Sequence, residues 1–277
     1  METLLPTHPN SYKELIKNSF NLYRASFFRI IIISLMLAFI AFIPRFFSDV
    51  IGQDLFLNLP PLSPYRLWLV PVHLASIIFF IGIIWRMHCV ILGSHEPLLE
   101  DLTVGLKKVL YVLMAATIQI AFVIAVIIAS YGLLVILGQH HIIFHHHFFG
   151  MLSTIVILLA QIILIFYVYT LFAFLIPIIT IENKGLLGAL ERSAYLVWNH
   201  WWRVFSVQFT PWLAYIILLF VIRLVFGISL HIYFIEHSSH TFGSTFLHLI
   251  LFAIFIPWVA AIMLTQLKDL ELRKKIT

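Results

Sequence analysis

The sequence predicts an all-α, polytopic membrane protein: six transmembrane helices with cytoplasmic interfacial amphipathic helices, arranged as three two-span units. Three observations carry this. Of the residues, 62% are hydrophobic and only 10% are charged, against about 25% charged in water-soluble domains. Six apolar runs each approach or exceed the roughly 20 residues that cross a hydrocarbon layer about 30 Å thick. Fourteen of the seventeen Lys and Arg residues lie on one side of those runs, which is the asymmetry of the positive-inside rule.

The runs cover residues 30–47, 67–85, 110–137, 151–181, 204–230 and 245–267. A spanning barrel would instead need segments of about 10 residues alternating in polarity. These runs are apolar on every side, and a helix satisfies its own backbone in lipid. Cations flank them in the order Lys13, Lys17, Arg24 and Arg29 before the first; Arg86, Lys107 and Lys108 between the second and third; Lys184, Arg192 and Arg203 between the fourth and fifth; and Lys268, Arg273, Lys274 and Lys275 after the sixth. Only Arg45, Arg66 and Arg223 fall elsewhere. Both termini are therefore expected in the cytoplasm. The opening METLLPTHPN has no cleavable-signal pattern, so the first span is expected to direct its own insertion.

Each odd-numbered span follows an amphipathic stretch. Before the first, Tyr12, Leu15, Ile16, Ser19, Tyr23 and Phe27 share a face, with Lys13, Lys17, Asn21 and Arg24 on another. Leu99, Leu102, Leu106, Val109 and Leu113 repeat at helical spacing before the third, and Leu186, Leu187, Leu190, Ala194, Val197 and Trp201 before the fifth. Such spacing with cations on the polar side marks a helix lying in the membrane interface. One membrane domain, residues 1–277, then divides into units of about 11–92, 98–181 and 186–267. Ser19, Leu22, Phe27, Phe28 and Arg29 align without gaps on Ser193, Leu196, Trp201, Trp202 and Arg203 at a constant offset of 174. The aromatic pair followed by Arg suits rings at headgroup level and a guanidinium reaching phosphates, so Phe27, Phe28, Arg29, Trp201, Trp202 and Arg203 are the candidate lipid-interface residues. A shorter echo joins AFLIP at 173–177 to AIFIP at 253–257.

GALERSAYLVWNHWWRVF, residues 188–205, together with the six-span layout, resembles the bacterial inner-membrane proteins related to YciC. It is also similar to the membrane domain attached to some glycerophosphodiester phosphodiesterases. The resemblance implies a multi-pass protein of the bacterial inner membrane and a role in the cell envelope, without a reaction. A phosphodiesterase barrel of about 250 residues does not fit beside these spans.

Chemistry inside the spans is sparse. All twelve Asp and Glu residues fall in loops, amphipathic stretches or termini, which argues against a proton-driven pump. Neither a Ser-His-acid set nor an acid pair sits in the spans, so the chain is not expected to be an enzyme. Gln119, Gln161 and Gln208 suit interhelical hydrogen bonds. Arg223, about 20 residues past Arg203, should lie near the outer boundary and reach headgroups or Glu236. Pro44, Pro71, Pro177, Pro211 and Pro257 each remove a helix donor and predict kinks. The single Cys89 allows no internal disulfide. Although the net charge is +5, the cations sit at helix ends where topology explains them, and no nucleic-acid groove is expected.

Eight of the fourteen histidines fall in two outer loops. His140, His141, His145 and His147 are the candidate ligands for a divalent transition metal, because His141 and His145 have the i, i+4 spacing of one helical face. No other cofactor is indicated. Three tasks fit these residues: a non-enzymatic protein organising membrane lipids or a protein partner, itself included; a carrier or channel for a lipid or small solute; and an outward-facing His-rich metal binder or importer.

Overall fold

The computed structural model describes residues 4–51, 69–94, 96–139, 147–227 and 242–276, apart from the side chains of 47–51, 137–139, 147–150 and 242. These residues form helices α1 (Tyr12–Ile51), α2 (Leu69–Leu92), α3 (Leu98–Gln139), α4 (His147–Leu171), α5 (Leu175–Ile181), α6 (Leu186–Val197), α7 (Trp201–Phe226) and α8 (Phe242–Lys274). No strand occurs among them. Six stretches, in α1, α2, α3, α4 with α5, α7 and α8, are long and apolar enough to cross a membrane. The chain is an all-α, multi-pass integral membrane protein.

A capping box starts α1: the Glu14 N–H donates to Ser11 Oγ at 3.3 Å, and the Ser11 N–H donates to Glu14 Oε2 at 2.8 Å. The helix then runs unbroken for 40 residues, and α3 for 42. At 1.5 Å per residue each rod is about 60 Å long, twice the hydrocarbon thickness. The amphipathic stretches before the first and third spans are thus helical continuations of the spans. Before the fifth span the stretch is a separate helix, α6, and the aligned sequences explain the difference. The 174-residue offset sets Ala25, a strong helix former, against Asn199, which has φ 68°. Asn tolerates this left-handed conformation better than most residues, and there the chain turns between α6 and α7. Asn199→Gly is expected to leave thermal stability in detergent unchanged, whereas Asn199→Val should cost about 1–2 kcal/mol, the left-handed penalty.

The prolines act according to position. Pro44, Pro211 and Pro257 lie inside α1, α7 and α8, whereas Pro71 occupies the first turn of α2, where a missing N–H costs little. Pro177 cannot donate to the carbonyl of residue 173, and the helix is interrupted at 172–174, separating α4 from α5. Buried Ser193 of α6 satisfies that break: its hydroxyl donates to the Leu171 carbonyl at 2.7 Å and accepts the Phe174 N–H at 3.4 Å. Its sequence counterpart Ser19, equally buried, donates to the Ile16 carbonyl at 2.7 Å and accepts the indole N–H of Trp258 at 3.3 Å.

The spans follow one another around the bundle in chain order, and α1 closes against α8 in the most extensive helix pairing of the molecule; α4 meets α7 only lightly. In its most apolar window α8 is 56% buried, against 11% for α3. The α3–α4 hairpin accordingly exposes apolar residues such as Ile120, Ile128, Val156 and Ile163. Such surface is stable only against lipid. A core of Phe174, Ile178, Ile179, Ala189, Leu196, Val204 and Leu270 fills the end of the bundle that carries α5 and α6. This end also holds both described termini and is called the terminal face below.

Candidate functional site

The aromatic-Arg segments open onto different surroundings. Phe27 and Phe28 of α1 meet edge to face at 5.6 Å, and Trp201 and Trp202 at the start of α7 do so at 5.4 Å. In each pair the second ring faces outward, Phe28 being 87% and Trp202 64% exposed. Arg29 is exposed as well. Arg203, expected to reach phosphates, is instead held within the protein. Its Nε and NH2 donate to Asp269 Oδ2 at 3.3 and 3.2 Å, and NH2 also donates to the Asn10 carbonyl at 2.7 Å.

Fully buried Asp269 therefore forms the centre of a knot. Its Oδ2 accepts from Arg273 Nε at 2.9 Å, and its Oδ1 accepts the Asn10 N–H at 2.7 Å. The segment before α1 is thereby tied to α7 and α8. A second buried carboxylate, Asp101 of α3, pairs with Arg86 of α2, whose Nε donates to Oδ2 at 2.6 Å. Beside it Trp85 donates to Glu96 Oε2 at 2.8 Å, and buried Cys89 lies 3.3 Å from the same oxygen. Both aspartates fall at span ends as expected, yet they are packed, and only a counted partner makes such burial tolerable.

Between α6 and the end of α8 lies a recess of about 300 Å³ lined by Arg192, Tyr195, Glu271, Lys274 and Lys275. Arg192 NH2 donates to Glu271 Oε1 at 2.9 Å, and its Nε lies 3.4 Å from Glu182. Lys274 Nζ donates to the Trp198 carbonyl at 3.1 Å and sits 4.8 Å above the Tyr195 ring. Burial, then the neighbouring Lys274, Arg273 and Arg203, hold the His200 imidazole below its ordinary range, so it stays uncharged near neutral pH. The inner face of α6 is packed through Ala189, Ser193, Leu196 and Val197, while Leu187, Tyr195 and Trp198 stand exposed.

A further polar cluster lies far along the spans from the terminal face. Arg45, set apart in the sequence from the cytoplasmic cations, belongs to α1 and is 9% exposed; His248 of α8 and Tyr215 of α7 are 4% and 7% exposed. Arg45 NH1 lies 3.1 Å from His248 Nδ1. A guanidinium only donates, so Nδ1 is the acceptor in this contact. Tyr215 stacks on His248 at 5.8 Å, and its buried hydroxyl has no hydrogen-bond partner among the described residues. Sequence reasoning missed this cluster because its members are far apart in the chain; the signal available was an Arg about 24 Å past Arg29 at 1.5 Å per residue, inside the hydrocarbon.

The remaining candidates are placed as follows. Gln119 Nε2 of α3 donates to the Tyr169 carbonyl of α4 at 3.5 Å, an interhelical bond as expected. The Gln208 amide nitrogen is buried without a partner among the described residues. Arg223 is exposed in the last turn of α7, next to the left-handed Gly227. His140, His141 and His145, with the side chain of His147, lie outside the described residues. Among the described residues no group of three His, Cys, Asp or Glu side chains could hold a metal ion.

No family model, curated protein or solved structure matches this chain.

Proposed function

We propose that this is a non-enzymatic protein of the bacterial inner membrane, akin to the YciC-related proteins, which holds and orders anionic lipid at its cytoplasmic side. The terminal face is that side. One observation carries the reading: Tyr195, Trp198 and Trp202 stand exposed along α6 and the start of α7, beside Arg192, Lys274 and Lys275. Interfacial aromatics settle at headgroup level, and cations there attract the anionic lipids of the cytoplasmic leaflet. The two-span units and the interfacial nature of α6 belong to this proposal.

Native mass spectrometry of the purified protein is the test. Anionic phospholipid should be enriched over its share of the membrane, and Trp198→Ala with Trp202→Ala should lower that enrichment without loss of fold. Equal retention of zwitterionic and anionic lipid would end the reading. A carrier for an amphiphile is the second reading, favoured by the Arg45–His248–Tyr215 cluster, since polar groups inside a span mark pathways more often than packing. Transport of fluorescent lipid in proteoliposomes, lost in Tyr215→Phe, would support it.

A further inference from the structure

We infer that the recess between α6 and the end of α8 is a binding site for a phosphate-bearing anion. The inference deepens the lipid reading and rests on it for the source of the phosphate, which would be the headgroup of an anionic lipid.

The recess is lined by three cations, Arg192, Lys274 and Lys275, against one carboxylate, Glu271, leaving two net positive charges. Glu271 is already shared, accepting from Arg192 at 2.9 Å and from Lys268 at 3.2 Å. Lys274 is held by a carbonyl and an aromatic ring, neither of which neutralises it. Arg192 is also met by Glu182 at 3.4 Å, so the charge that the walls leave uncancelled lies on Lys274 and Lys275. Burial first, and then the neighbouring Lys274, Arg273 and Arg203, disfavour the charged form of His200, so the cations add to an effect that desolvation begins.

Size and position select the ligand further. A volume of about 300 Å³ is at the lower bound of small-molecule sites, enough for a headgroup and too little for a whole lipid. The exposed Tyr195 lines it, the exposed Trp198 accepts from Lys274 through its carbonyl, and Leu187 stands on the same helix as Tyr195. A phosphate can thus occupy the recess while the apolar part of its molecule lies on the α6 surface. Because Arg192 and Lys274 are oriented by contacts already made, less ordering is lost when the anion binds. Arg192 supplies planar donors suited to two phosphate oxygens, and the lysines supply point charges.

The test uses the full chain in nanodiscs of phosphatidylcholine alone or with phosphatidylglycerol, and separately the detergent-purified protein titrated with inorganic phosphate and ADP. Lys274→Gln with Lys275→Gln removes two charges of about 1 kcal/mol each near a surface, so retention of phosphatidylglycerol should fall about 30-fold. Lys274→Arg should retain it, separating charge from shape, and Glu271→Gln should raise it if the protein stays folded by thermal melting. Loss of phosphatidylglycerol in the double glutamine variant, with the melting temperature kept, supports the site and the lipid source. If only phosphate or ADP binds, and the variant abolishes that, the site stands and the lipid reading falls. Unchanged phosphatidylglycerol retention in the variant, with loss in Trp198→Ala and Trp202→Ala, overturns the site and leaves the lipid reading intact. Absence of every one of these ligands from the unaltered protein overturns both.

Discussion

Gly105→Leu is expected to prevent α2 and α3 from packing, lowering stability by about 3 kcal/mol or more, the upper range of overpacking costs. A Cβ at residue 105 would meet the Ile78 carbonyl oxygen at 2.5 Å and Ile78 Cγ2 at 2.9 Å. The obstacle is backbone, which cannot rotate aside as a flexible side chain does. Replacing a helical glycine by a better helix former gains up to about 1 kcal/mol, so overlap dominates and even Gly105→Ala should be destabilising. Gly82 provides the control. Its added Cβ would lie 3.5 Å from the Asp101 carbonyl oxygen, an ordinary contact, and Gly82→Ala should be neutral or slightly stabilising. Thermal melting in mild detergent, with size-exclusion profiles, distinguishes the pair; equal melting temperatures for the two alanine variants would refute the close crossing of α2 and α3.

Asp269→Ala should be comparably severe. The carboxylate is fully buried and accepts from Arg203, Arg273 and the Asn10 N–H. Its removal leaves two guanidinium groups facing each other, 23% and 26% exposed. Breaking a buried ion pair costs about 3–5 kcal/mol, and partial hydration of the two arginines puts the expected loss near the lower end, about 3 kcal/mol. An exposed pair would contribute at most about 1 kcal/mol. The same variant should release the segment before α1, which limited proteolysis near residue 10 would detect. Arg203→Ala should cost less, because Arg273 and the Asn10 N–H still compensate the carboxylate. A melting temperature unchanged by Asp269→Ala would mean that the knot does not hold the terminal face together.

The spans were legible in the sequence because the bilayer imposes a length and a polarity that few other environments demand. Local breaks were legible in principle: Pro177 and Asn199 are visible in the chain, but whether a helix bends or stops there depends on a partner such as Ser193 to receive the freed backbone groups. The knot was not legible. Asp269 reads as a terminal carboxylate, and nothing local tells that Asn10, 259 positions away, reaches it. Arg203 matches Arg29 in sequence, yet only Arg203 has a buried carboxylate beside it. Arg45 was hidden for a similar reason: a cation near the end of an apolar run resembles a loop residue until α8 brings His248 to it, 203 positions on. The recess joins two stretches separated by about eighty residues, with lining from both, so charge counting along the chain could assign its cations to topology but not to a common cavity.

The pairing of α1 with α8 also sets the order in which the protein can be completed. Helix α1 carries Ser34, whose hydroxyl donates to the Ala253 carbonyl at 2.5 Å, and Arg45, whose guanidinium meets His248. Both partners are synthesised more than two hundred residues later. Until then α1 must wait at the insertion machinery, or against α2, with those polar groups satisfied by something else. A chain halted before α8 therefore lacks both of these partners, and the bundle closes only when that last helix arrives.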